Sequence, residues 1–281
     1  MTGKHLGVTV MRELGSKAAA KMIAAANMIV AKPEKDGRRL VVSDEILLGL
    51  AVTGDPEAVR YVLDLVGMDL KDPSLGKRAV SALYRAYVEP SALHALADAK
   101  ALTPNIKAII DIAKDGNQPP QVTNDAVNLI RMIGMPHCLP ALTEMVSFPA
   151  REIRYRYVGA NNALKCAGAE GIVGVVTALP TDLGYDKEEL VGAVASEIVK
   201  LGNRPEVLAA VRTLAAEKSW VARWVAVEAI AGLKASAEVG VVRGLTGDKT
   251  VLRGYHGAAG GKKAEPTLGA RAKEVAASLG G

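Results

Sequence analysis

The sequence predicts an all-α solenoid of about six helix pairs with one inserted helix, a prediction resting on three observations. First, apolar helical stretches end in Ile or Leu with a Gly four residues on: Leu50/Gly54, Ile130/Gly134, Leu164/Gly168 and Ile198/Gly202. The same alignment sets Leu83 before Tyr87 and Ile230 before Lys234, where the Gly is replaced. Second, the anchors are spaced by 33 (50 to 83), 47 (83 to 130), 34 (130 to 164), 34 (164 to 198) and 32 (198 to 230) residues. A period in the low thirties with no strand pattern between helices marks a helical repeat array. Third, 49% of the 281 residues are apolar but only 4% aromatic, so the core is built from Ala, Val, Leu and Ile. Small side chains let helices approach closely, which suits stacked helix pairs.

A first helix is predicted from about Val8 to Val30. The segment 32–39, with its Pro and Gly, reads as a loop or the tip of a small hairpin. Ser43-Asp-Glu-Ile46 starts the next helix with a capping residue and an acidic first turn. Asp55-Pro56-Glu57 opens another, Asp as cap and Pro in the first turn, and Asp72-Pro73-Ser74 repeats the device. The long interval from Leu83 to Ile130 predicts helices over 89–101 and 103–114 before 121–133, hence the inserted helix. Regular pairs are then expected over 135–147 with 151–167, 169–179 with 187–201, and 205–216 with 220–233. A Gly-rich stretch, 254–263, precedes a final helix from about Pro266 to Leu279. This gives three regions: residues 1–42 as an N-terminal helix and basic loop, 43–250 as the array, and 251–281 as a Gly-rich loop and capping helix.

Composition narrows the functional classes. No run of about 18 apolar residues exists, so no membrane span is expected, and the first 14 residues lack the form of a secretory signal. Two cysteines, Cys138 and Cys166, fit free thiols in a reducing compartment, giving a cytoplasmic expectation. Charge is unevenly placed. Residues 1–39 hold 8 Lys/Arg and 3 Asp/Glu, residues 243–281 hold 7 and 3, and the residues between hold 20 and 24. Basic ends flanking an acidic middle suit solvated termini or assembly through those ends.

The segment Trp220-Val-Ala-Arg-Trp-Val-Ala-Val-Glu-Ala-Ile-Ala-Gly-Leu233 resembles the second helix of a HEAT repeat, with Ala222-Arg223, Ala226 and Ala229-Ile230 at the pattern's positions. Tyr157, Ala160, Ala163 and Leu164 keep the frame with Tyr in place of the Arg, and the earlier repeats keep only the apolar frame. The resemblance covers roughly 43–250. It implies a right-handed stack of helix pairs, the second helix of each lining a concave face. It also implies a protein-binding scaffold, or, in a minority of the family, a nucleic-acid binder with the fold of certain DNA glycosylases.

Helical geometry places Ile153, Tyr157, Ala160, Leu164 and Ala167 toward the core, and Arg154, Val158, Asn161 and Lys165 on a separate arc. Transfer by the repeat spacing adds Asn124, Val127 and Arg131, then Glu188, Gly192 and Ala195, then Trp220, Trp224 and Val227. One exposed ridge is thus expected, running from basic (Arg131, Arg154, Lys165) to doubly aromatic (Trp220, Trp224). Trp is a favoured interface anchor, so these five residues are the candidate partner-binding set. Loss of either Trp is expected to abolish capture of a protein partner with little effect on folding. A nucleic-acid reading would use Arg131, Arg154, Arg156 and Lys165 and be strongly salt-dependent. Arg223 is expected to bond a neighbouring turn. The four histidines, His5, His94, His137 and His256, stand at no metal-ligand spacing. No nucleophile or phosphate-loop motif occurs, so neither catalysis nor a cofactor is expected.

Overall fold

A computed structural model of the chain describes residues 3–31, 34–35, 38–39, 42–67, 74–89, 96–147, 153–181, 187–252 and 266–280. Among the described residues the extended pairing is confined to a two-residue ladder, β1 (Glu34–Lys35) against β2 (Arg38–Arg39), and one bridge between Val251 and Thr267. The other regular elements are helical, so the class is all-α, and the short ladder realises the hairpin tip expected at 32–39. Two compact units are formed, Met1–His137 and Cys138–Gly281.

The first unit holds α1 (Gly3–Leu14), α2 (Ser16–Ala31), α3 (Asp44–Val52), α4 (Pro56–Gly67), α5 (Leu75–Tyr87), α6 (Ile106–Lys114) and α7 (Pro120–Ile133). The single first helix expected from 8 to 30 is broken in two by Gly15, whose φ of 52° leaves the helical region. Ser43 caps α3, its Oγ accepting from the Ile46 N–H at 3.3 Å. Asp55 caps α4, Oδ1 accepting from the N–H groups of Glu57 at 2.8 Å and Ala58 at 3.1 Å. The start expected at Asp72-Pro73 lies outside the described residues, though Ser74 does precede α5. Helix α3 packs on α1 and α5, α4 on α5, α5 on α7, and α6 on α7.

The inserted helix over 89–101 is not found in the described part of that segment. Residues 96–98 are non-helical and Ala99–Ala101 is a single 3-10 turn, followed by another at Thr103–Asn105. Asp98 caps the first of these turns through the Lys100 N–H at 3.0 Å. Pro104 cannot donate to a helical ladder. Asn105, buried, donates from Nδ2 to the Pro56 carbonyl at 2.9 Å and ties the segment to α4. Over its described part, the extra length forms 3-10 turns.

The second unit holds α8 (Cys138–Ser147), α9 (Ile153–Ala167), α10 (Ile172–Thr177), α11 (Lys187–Lys200), α12 (Pro205–Ala215), α13 (Trp220–Leu233), α14 (Val239–Gly244) and α15 (Leu268–Ser278). Helix α8 packs on α9, α9 on α11, α11 on α13 and α13 on α15, while α10 packs on α12 and α12 on α13. The core is aliphatic as composition requires: Val175, Val191, Val194, Ile198, Val211, Leu214, Val225 and Ile230 are all buried.

The recurring anchor has a backbone cause. Gly54, Gly134, Gly168 and Gly202 have φ of 65°, 78°, 59° and 83°, and Lys234, four residues after Ile230, has 51°. Each follows the end of a helix, four residues after one of its Leu or Ile residues, with the positive φ that closes many helices; Gly134 combines it with a ψ of 179°. Tyr87 departs from the pattern, because α5 runs to it and closes at Val88 with φ −116°. A Cβ added at Gly202 would meet nothing within 4 Å, so Gly202→Ala isolates the backbone term. It is expected to cost about 1–2 kcal/mol in urea unfolding, whereas Lys234→Gly should gain about 0.5 kcal/mol after the added entropy of the unfolded chain. Opposite signs at the two positions test the assignment.

Candidate functional site

A polar cluster on α9 and α11 lies within the second unit. Tyr157, Asn161 and Lys165 recur every four residues along one side of α9. Asn161 Nδ2 donates to Glu197 Oε1 on α11 at 3.1 Å and to the Tyr157 hydroxyl at 3.4 Å. Lys200, one turn beyond Glu197, donates from Nζ to the same Oε1 at 2.6 Å. The Glu197 side chain is only 5% exposed while that of Lys200 is 63% exposed, so an acid beneath the surface holds a cation above it. That hydrogen bond, with the Coulomb attraction of Glu197, raises the lysine pKa above its usual value. The Tyr157 ring is 37% exposed, and Asn161 Oδ1 is buried with no hydrogen-bond partner. The cluster presents an aromatic face and an ammonium group at the surface, above a buried amide oxygen that lacks a donor.

The candidate residues separate. Trp224 is 1% exposed and belongs to the core, correcting its place on an exposed ridge. Its Nε1 donates to Glu228 Oε1 at 3.1 Å, and its ring lies 6.0 Å from that of Trp220 at an interplanar angle of 21°. Trp220 is half-buried, Arg131 half-buried, and Lys165 exposed. The side chain of Arg154, like that of Arg156, lies outside the described residues. Val127, Ala195 and Val227 are buried, which removes three more positions from the ridge. Tyr157, expected in the core, stands at the surface instead. These errors share a cause: α9 packs on α8, α10 and α11, and α13 on α10, α11, α12 and α15, so each buries most of its circumference. The open arc is therefore narrow, and an arc transferred by a fixed 34 residues misses it. Asn161 meets Glu197, which lies 36 residues on. Glu197 was overlooked, although an acid in an apolar helix with Lys200 three residues later is a visible signal.

Arg223 bonds neighbouring turns, as its position predicts. It donates from NH1 to the carbonyls of Glu217 at 2.9 Å and Lys218 at 2.8 Å, and from Nε to Asp248 Oδ2 at 2.9 Å. Cys138 and Cys166, expected as free thiols, form a disulfide between α8 and α9 with their Cα atoms 6.6 Å apart. Among the described residues no group of three His, Cys, Asp or Glu side chains is placed to hold a metal ion. His137 is exposed, and His5, His94 and His256 lie outside the residues whose side chains are described.

Asp125 on α7 is 3% exposed, with Oδ1 accepting from Gln121 Nε2 at 2.7 Å. Burial pushes its pKa up to about 6, Gln121 and Lys77 opposing this and Glu89 adding to it. A buried carboxyl of this kind offers a nucleic-acid base nothing to meet. The fold favours the protonated acid, so stability is highest at low pH and falls as pH rises from the ordinary aspartate value of 3.8 to about 6. Asp125→Asn should therefore raise the melting temperature at pH 8 by the equivalent of up to ~3 kcal/mol and leave it unchanged near pH 3.5. Equal melting of the two proteins at pH 8 would show that the carboxylate is ionised at no cost.

No family model matches the chain, and no match was found among curated proteins. No helix among the described residues is long and apolar enough to cross a membrane.

Proposed function

We propose that the chain is a non-catalytic, HEAT-like α-solenoid scaffold that binds a protein partner through the open side of α9, α11 and their neighbours. The carrying observation is the Tyr157–Asn161–Glu197–Lys200 cluster, a partly exposed, hydrogen-bonded polar patch on helices otherwise packed with aliphatic side chains. Successive packing of α9, α11 and α13, with left-handed closures 34 (168 to 202) and 32 (202 to 234) residues apart, supports the repeat reading. An exposed ring beside an ammonium and a half-buried amide suits a polypeptide, whose backbone and side chains supply both donors and acceptors. Trp220, Arg131, Arg154 and Lys165 remain partner-contact candidates under this reading, and Trp224 leaves the set. The cytoplasmic expectation loses the support of two free thiols, because a bonded pair fits an oxidising compartment better.

Photo-crosslinking tests the proposal. A benzophenone amino acid replacing Tyr157 should give a discrete protein adduct in native extract. The same probe at Thr177, exposed on α10, should not. Lys200→Glu should weaken the Tyr157 adduct. Adducts equally strong from both sites, or none from Tyr157, would remove the surface from consideration. Adducts to nucleic acid that vanish steeply with salt would instead favour the nucleic-acid reading.

A further inference from the structure

Four arginines with described side chains are half-buried: Arg78, Arg131, Arg223 and Arg271. Three of them have a carboxylate. Arg78 pairs with Asp44 at 2.6 Å, Arg223 with Asp248 at 2.9 Å, and Arg271 with Glu228 at 2.8 Å. Arg131 has no ion pair among the described residues, and its Nε is sealed from solvent with no acceptor. A guanidinium is charged at every accessible pH and carries five donors in a planar fork. The other three arginines show how this fold ordinarily balances such a group, whereas the terminal nitrogens of half-buried Arg131 are not sealed and have no carboxylate among the described residues.

The surroundings of Arg131 narrow what would satisfy it. It is the one basic residue of α7 and stands in its last turn, on the same side as Asn124 and Asn128. Asn128 Nδ2 already donates to the Asn124 carbonyl at 2.8 Å. Asp125, six residues earlier, lies roughly a third of a turn away around the helix and is engaged with Gln121. We propose that Arg131 is the receptor for a single carboxylate presented by a polypeptide partner. This rests on the protein-binding reading above and adds the chemistry of the ligand. A phosphate would also match the guanidinium fork, but a nucleic-acid strand presents a row of phosphates and needs a row of cations. The single cation of α7, on one side with two neutral amides, matches one Asp or Glu side chain.

The full-length protein tests this by NMR of its arginine Nε–H resonances. The probes are the blocked tripeptide Ala-Glu-Ala, its Gln counterpart, and inorganic phosphate. The Glu peptide should shift the Arg131 resonance saturably, at several-fold lower concentration than the Gln peptide, and leave the Arg223 and Arg271 resonances in place. The response should be lost in Arg131→Gln. An equal response to the Gln peptide, equal shifts at every arginine, or saturation by phosphate alone would overturn the proposal. A second measurement guards against a structural role: Arg131→Gln should melt at or above the parent temperature, whereas Arg223→Gln should melt below it. Arg131→Gln melting as low as Arg223→Gln would also overturn it. Failure here with Tyr157 adducts intact removes only the Arg131 assignment, and loss of both removes the protein-binding reading itself.

Discussion

Trp224→Ala is expected to lower the unfolding free energy of the second unit by about 3–5 kcal/mol, the range for deleting a large buried aromatic. The indole is 1% exposed and fills space between α13 and the helices packed against it. It also anchors a chain of polar contacts. Trp224 Nε1 donates to Glu228, whose two oxygens accept from Arg271 Nε at 2.8 Å and NH2 at 2.9 Å. Arg271 NH1 in turn reaches Glu274 at 3.0 Å. Deleting the indole therefore opens a cavity and loosens the seam between α13 and α15. Trp224→Phe keeps most of the volume and should cost far less. Trp220→Ala, at a half-buried site, should stay within about 2 kcal/mol. Circular dichroism during urea unfolding separates the three, and a Trp224→Ala midpoint equal to the parent's would return that ring to the surface.

Breaking the Cys138–Cys166 bond has the second largest expected effect. The bond closes a loop of sequence separation 28 and links α8 to α9 at the start of the second unit. Closure of a loop that long removes enough unfolded-state entropy to stabilise by about 3–4 kcal/mol on the chain-entropy account. Cys138 is fully buried and Cys166 half-buried, so a reductant reaches the pair from the Cys166 side. The protein purified in air should show no thiol to a maleimide in denaturant until it is reduced. Reduction, or the Cys138→Ala/Cys166→Ala variant, should lower the melting temperature by several degrees. Two thiols titrating without reductant, or melting indifferent to reduction, would return the pair to the free-thiol state expected from composition.

Much of the fold was legible because backbone chemistry writes itself into single residues. Ser43 and Asp55 announced two helix starts, and the Gly at 54, 134, 168 and 202 announced helix ends that positive φ explains. The pair from Pro205 to Leu233 lies within a residue of its expected ends for the same reason. Gly15 was misread because a glycine inside an apolar helical pattern looks tolerable until its φ is known. The segment after Leu83 was misread because apolar content alone does not distinguish a regular helix from 3-10 turns held by Asn105.

The site was less legible. Which arc of a helix stays open depends on how many neighbours it packs against, and that number is not in the helix's own periodicity. Tyr157 and Trp224 consequently exchanged roles. Glu197 and Asn161 meet on a diagonal that a fixed repeat offset does not follow. The disulfide runs against the composition argument, because the start of α8 and the end of α9 are brought together by the packing of the two helices.

The repeat array is tested most directly by dipolar electron paramagnetic resonance between labels at Glu170, Arg204 and Ser236. Each is exposed and stands two residues beyond a left-handed closure. Helices stacked at about 8–10 Å per step predict similar separations for 170 to 204 and 204 to 236, and roughly twice that for 170 to 236. A separation from 170 to 236 no longer than either single step would contradict a solenoid.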